Sequence, residues 1–227
     1  MSKKTWIIFA TICVAVLGTL VYFSTKDRLD VSGVNTSQII AASEQSGNIA
    51  DHVYGNKDSK VVFIEYGDYQ CPGCGAAFTP VKETMEKYKE KVAFVFRNFP
   101  LTSIHPNAKA AAAAAEAAGL QGKFWEMHDK LYENQDSWNQ LNAQDRTNYF
   151  IEQATNLKLN VDTFKQDVAA ANVNKKLNFD IALGKKSEIT STPSFFIGDQ
   201  KLSEDDLYTD NSFDTEKLDK LLSDKIK

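Results

Sequence analysis

Hydrophobic positions in this 227-residue chain form one long run near the start and several short runs later. Thr5 to Thr25 carries no charge, and its apolar core, Trp6 to Phe23, matches the roughly 20 residues needed to cross a hydrocarbon layer. Residues 26–51 are polar, rich in Ser, Asn, Gln and Gly, and read as a tether. Within it, Ser37 to Glu44 is too short a pattern to assign to helix or strand. Val61 to Tyr66 then reads as a buried strand and Val92 to Asn98 as a second, separated by a helix from Pro72 to about Lys89 that Pro80 should kink. Helical patterns follow at Pro106–Ala118, Lys123–Glu133, Ala143–Asn156, Val161–Ala170 and Asn172–Leu183, with Asn142 and Asn160 as caps and Gly184 as a stop. Ser194 to Ile197 returns to strand, Gly198-Asp199-Gln200 makes a turn, and Lys201-Leu202 begins the paired strand. Asp214 caps a last helix, Thr215–Ser223. Strand-helix-strand, helical block, hairpin and helix is an α/β order with an insertion.

Charge refines the ends of this picture. Lys3 and Lys4 before the long run, and Asp27, Arg28 and Asp30 after it, predict an inside N-terminus and an outside body. The end of the run, Leu20-Val21-Tyr22-Phe23-Ser24, lacks a small-x-small cleavage pattern, so residues 1–25 are read as a retained signal anchor in preference to a cleaved signal peptide. Cys13 is then a small apolar membrane residue. Residues 52–227 suit one domain. The net charge of -4, with lysine greatly outnumbering arginine, argues against a nucleic-acid role, which wants a concentrated basic face.

The chemistry concentrates in Cys71-Pro72-Gly73-Cys74, between the first short strand and its helix. Two thiols two residues apart at a helix start can close a small ring, and the first lies among unpaired backbone N–H groups that favour thiolate. Cys71 is thus the expected nucleophile and Cys74 its resolving partner. Pro72 fits the first helical position, and Gly73 lets backbone pack beside the sulfurs. Two other readings stand beside this one. A zinc site would need about two more ligands, which Cys13 and the scattered His52, His105 and His128 do not supply. An inert structural disulfide suits an exported chain, but so small a loop constrains little chain entropy.

Several separated segments resemble the thioredoxin-fold oxidoreductases, and more closely the DsbA-like family. They are Val62 through Cys74, Arg97-Asn98-Phe99-Pro100-Leu101, His105-Pro106-Asn107-Ala108, Gly122 through Asp129, and Thr192-Pro193-Ser194-Phe195-Phe196-Ile197-Gly198. The resemblance implies a thioredoxin fold split by a helical domain at about 105–186, preceded here by an N-terminal transmembrane helix. It implies that Pro193 is a cis-proline facing the dithiol, with the Thr192 backbone free to pair with an extended substrate. It also implies that Glu65 is the family's buried acid, assisting proton transfer at Cys74. Strand alternation puts Val61, Phe63 and Glu65 on one face and Val62, Ile64 and Tyr66 on the other, so both faces are buried and the carboxyl should be desolvated. The alternative is that Glu65 pairs with a lysine or reaches solvent.

His105 is read as a cap or turn residue and His128 as a packing or surface residue. Phe78, Phe124, Trp125, Tyr132, Trp138 and Phe150 are core or groove candidates, and Asp205, Asp206, Asp210 and Asp214 a solvated loop and cap. The expected activity is membrane-anchored, extracytoplasmic thiol–disulfide exchange without a cofactor, most simply forming disulfides in exported polypeptides, with a membrane redox partner restoring the disulfide. Reductase or isomerase action is the alternative direction, and a non-enzymatic binding module or chaperone the alternative class. The strongly oxidising family member has histidine before the second cysteine, whereas Gly73 offers no charge, so a milder Cys71 is expected.

Overall fold

The computed structural model describes residues 3–26 and 29–226, with side chains described for 4–19 and 29–226. Met1–Asp30 and Val31–Lys227 are separate compact units. The first holds helix α1, Lys3–Lys26, whose Trp6, Ile7, Ile8, Phe9, Ile12 and Leu17 side chains are exposed. Among the described residues no helix is long and apolar enough to cross a membrane. The span expected over Trp6 to Phe23 lies partly outside those residues, since the side chains of 20–23 are not described.

The second unit opens with irregular chain and then β1, His52–Gly55, a strand that the sequence reading did not assign. β2, Val62–Gly67, leads into α2, Pro72–Tyr88, and β3, Ala93–Asn98, follows. The helical block comprises α3, Ala108–Leu120; α4, Phe124–Glu133; α5, Gln135–Trp138; α6, Ala143–Asn156; α7, Val161–Val168; and α8, Ala171–Lys186. β4, Ser194–Ile197, and β5, Gln200–Lys201, form the hairpin expected around Gly198. After α9, Glu204–Leu207, a small hairpin of β6, Tyr208–Thr209, and β7, Ser212–Phe213, precedes α10, Thr215–Ile226.

The five strands run β1-β3-β2-β4-β5. β2 pairs parallel with β3 and antiparallel with β4, which places Glu65 beside Phe96 on one side and Phe195 on the other. Helices cover such a central strand on both faces, and β2 and β3 are accordingly buried along their whole length. One cluster of apolar residues, including Phe63, Val81, Met85, Phe195 and Leu218, joins the sheet to α2 and α10. A second fills the helical block and reaches Tyr69, Cys71, Cys74 and Phe96, so the two cysteines sit at the junction of sheet and block. The alanines of α3 are buried almost all round because small side chains let α4, α7 and α8 approach closely.

Local signals explain most boundaries. Asn142 accepts from the Gln144 and Asp145 backbone, Asn160 from Thr163, and Asp214 from Glu216 and Lys217. Two expectations are corrected. Gly184 is not a helix stop, because α8 continues to Lys186; a Cβ there would lie 2.5 Å from the Phe99 ring and 3.3 Å from Tyr66, so glycine serves close packing. The polar stretch to residue 51 is not all tether, since from Val31 onward it belongs to the folded unit and Val31, Ser46, Ile49 and Asp51 are buried.

That stretch is fastened by charge. Arg97, fully buried on β3, donates to the carbonyls of Thr36 (2.6 Å) and Gln38 (2.7 Å), and to Asp51 Oδ2 (2.8 Å). Asp51 Oδ1 also accepts from Lys176 Nζ (3.1 Å), which reaches Asp180 (2.7 Å). Asn98 bridges Asp180 to Glu116, and Glu116 contacts His52 Nε2 at 2.9 Å. Paired and hydrogen-bonded in this way, the charges tolerate burial.

Candidate active site

Cys71 is the N-cap residue of α2, with extended backbone, and Pro72 begins the helix. Cys71 N–H donates to the Asp68 carbonyl, and the Cys71 carbonyl accepts from Gly75 at 3.1 Å. Its Sγ lies 3.3 Å from the carbonyl oxygen of Thr192, across the gap from the chain's cis peptide bond, Thr192–Pro193. Thr192 Oγ1 is buried without a hydrogen-bond partner. A Cβ at Gly73 would come to 3.3 Å from Pro193 Cδ and 3.7 Å from Cys71 Sγ, so glycine permits this approach.

The two thiols differ sharply. Cys71 is about 8% exposed and Cys74 not at all. The Cys74 thiol's hydrogen bond to Cys71, with the backbone N–H groups of Cys74 and Gly73, outweighs burial and holds Cys71 down at about 5. Burial drives Cys74 well above the usual thiol range, reinforced by its hydrogen bond to Cys71 and the charge of Glu65. Helix-start N–H groups and the neighbouring thiol lower Cys71 without a histidine, though less far than the ~3.5 of the strongly oxidising family member. Glu65, about 4% exposed, is pushed up to about 8, chiefly by burial and then by the charge on Cys71. Cys71, Cys74, Thr192 and Pro193 thus lie together, with the Glu65 carboxyl near enough for its charge to act on Cys74.

Other residues at the site were not read from the sequence. Asp68, buried, accepts from the backbone of Gln70 and Leu101 at 2.8 Å and contacts His105 Nδ1 at 2.8 Å, pinning the loop before Cys71. His105 is thus a turn residue, as expected, with a partner 37 positions upstream. Gln135, from α5, donates to the carbonyls of Tyr69 (2.8 Å) and Cys71 (2.9 Å), fixing the loop from the helical block. No periodicity marks an isolated glutamine; only the fold brings it there. His128 is a packing residue, as expected, set among Tyr69, Phe78, Phe96, Trp125 and Tyr132.

A parallel-antiparallel sheet, a dithiol at the helix following its central strand and a facing cis-proline define a thioredoxin-fold protein with a helical insertion. The sequence matches the thioredoxin family over residues 47–224. The chain belongs to the thioredoxin family. It is 28% identical over 196 residues to the probable disulfide bond formation protein D of Bacillus cereus, covering 84% of this chain and 85% of that one. It is 38% identical over 151 residues to the Na(+)/H(+) antiporter NhaA 3 of Salinispora tropica, covering 66% of this chain. The chain spans only about a fifth of that relative, 22% of its length. The fold is similar to that of BdbD from Bacillus subtilis in its oxidised form, with a TM-score of 0.65, 21% identity and coverage of 83% and 98% of the two chains.

Proposed function

We propose that this chain is a thiol–disulfide oxidoreductase that forms disulfide bonds in exported polypeptides. The observation that carries the reading is the asymmetry of the dithiol, a partly accessible low-pKa Cys71 beside a fully buried Cys74. In the oxidised enzyme a substrate thiolate attacks Cys71 Sγ; the Cys71–Cys74 bond breaks, and Cys74 leaves with the electron pair and takes a proton. A second substrate thiolate then attacks the mixed disulfide and releases Cys71 as thiolate. The substrate loses two electrons and the enzyme disulfide gains two. Glu65 exchanges the proton at Cys74, and the Thr192–Pro193 loop borders the approach to Cys71. A membrane redox partner restores the disulfide. Because a low Cys71 pKa stabilises the reduced form, it favours the oxidising direction.

On this reading the N-terminal segment is a retained anchor that places residues 31–227 outside the cytoplasm. The uncharged run Trp6 to Phe23 and the lysines before it support this. The decisive measurement is equilibration with glutathione buffers, read by mass spectrometry after alkylation. A potential nearer the ~−120 mV of strong oxidants than the ~−270 mV of thioredoxin is expected, with Cys71 alkylated first at mildly acidic pH. A potential at the thioredoxin end would make the enzyme a reductant. Failure to equilibrate would leave an inert disulfide on a binding module.

A further inference from the structure

The exchange leaves a question of proton supply. Cys74 has no exposure and Glu65 almost none, yet a proton must enter or leave at Cys74 in every turnover. While the mixed disulfide exists, substrate covers the Cys71 side. Glu65 holds one proton and must itself be recharged from elsewhere.

Resting on that exchange reading, we propose that His128 and Asp129 form a proton relay linking Glu65 to solvent on the side away from substrate. A cavity of about 60 Å³ is bordered by Glu65 of β2, Phe78 and Lys82 of α2, and His128, Asp129 and Tyr132 of α4. On this measure a water needs roughly 10–15 Å³, so the space holds a short chain of them. His128 Nε2 and Tyr132 Oη are buried polar atoms without a hydrogen-bond partner, and both residues line this cavity. Water there gives them the partners that buried polar groups require.

The outer half of the path is built from side chains. His128 Nδ1 lies 3.2 Å from Asp129 Oδ1, and Asp129 Oδ2 lies 2.8 Å from Lys82 Nζ. The His128 side chain is 5% exposed, but Asp129 and Lys82 reach solvent at 28% and 44%. Burial lowers the His128 pKa and keeps the ring neutral at neutral pH. The hydrogen bonds from His128 and Lys82 outweigh burial at Asp129 and hold it below the usual carboxylate range. An ionised Asp129 orients the ring with its proton on Nδ1, so the Nε2 lone pair faces the cavity. Before Cys74 attacks the mixed disulfide, Glu65 gives its proton through water to Nε2 while Nδ1 releases its own to the Asp129 side, and the Glu65 carboxylate then takes the proton of Cys74. In the opposite direction solvent supplies the proton. The other ionisable groups around the path are Tyr54 with its partner Glu86, Glu133 beside Lys82, and Tyr69, edge-on to the His128 ring.

The test uses reduced full-length chain and glutathione disulfide, with acid quenching and mass detection of both steps. Formation of the Cys71–glutathione mixed disulfide reads attack by Cys71; its conversion to the Cys71–Cys74 disulfide reads proton loss from Cys74. His128→Phe keeps an aromatic ring in the cluster, and should slow the second step about ten-fold, less than the hundred-fold or more of a direct acid–base group because His128 acts through Glu65. The first step, measured alone in Cys74→Ala carrying the same change, should not move. The pH profile of the second step should lose its dependence on the relay, and Asp129→Asn, at the surface, should shift it in the same direction. An unchanged second step in both variants, or equal slowing of both steps, overturns the relay. Absence of any mixed disulfide in Cys74→Ala overturns the exchange reading instead.

Discussion

Replacing Glu65 by glutamine removes the one buried group whose proton affinity is raised most clearly toward neutral pH. The carboxyl rises from 4.5 to about 8 on folding, mainly through burial. In that window the folded chain keeps a proton that the unfolded chain has lost, so the unfolded state binds fewer protons and stability falls as pH rises. The full contribution is present below 4.5, declines by roughly 1.4 kcal/mol for each pH unit, and levels off above about 8. Across the window the loss amounts to about 5 kcal/mol, a large part of the 5–15 kcal/mol that holds a typical domain together. Glu65→Gln has no such slope. Cys71 titrates with the opposite sign, its folded pKa lying below the usual thiol value, but it is common to both proteins and largely cancels in their difference. The assay is urea unfolding of the reduced proteins at several pH values between 5 and 8. The glutamine variant should gain on the parent steadily with pH, whatever constant offset the new amide introduces. The oxidised pair should show the same trend over a narrower pH range and with a smaller total loss, because burial persists while the Cys71 charge is gone. A difference that stays flat across the window would mean that Glu65 titrates alike folded and unfolded, which would refute the argument from desolvation.

Two further outcomes concern the scaffold. Asp51→Ala leaves the buried Arg97 without its carboxylate and Lys176 with Asp180 alone, and should cost about 3–5 kcal/mol, read as a lower urea midpoint with an unchanged slope. Gly184→Ala gains up to ~1 kcal/mol of helix propensity but forces the Phe99 and Tyr66 rings aside, so a net loss of about 1–2 kcal/mol is expected in thermal unfolding. A stabilised alanine variant would show that the rings yield freely.

The cysteine pair, the central strands and the capped helices were legible because each rests on local rules: an apolar run bounded by turns, Asn at an N-cap, Cys-x-x-Cys at a helix start. Glu65 stood out for the same reason, as a charge inside a run of buried residues. β1 did not, since three half-buried residues and an exposed glycine carry little pattern and gain their identity only by pairing with β3. The packing of residues 31–51 was hidden too, because Arg97 grips backbone carbonyls, which every sequence possesses. Gln135 and the Asp68–His105 pair depend on separations of 64 and 37 positions that only the tertiary fold closes.

The fastening of that early stretch has a mechanical meaning. A chain pulled from its N-terminal side passes load first to residues 31–38, where the Lys186 ammonium holds the carbonyls of Val31, Ser32 and Val34 and Arg97 holds those of Thr36 and Gln38. From Arg97 the load runs into β3, beside the sheet's central strand, and from Lys186 into α8. The Cys71 loop hangs from a different set of bonds, to Asp68, Gln135 and Thr192, so such a load is borne by the body of the fold and the sulfurs keep their alignment.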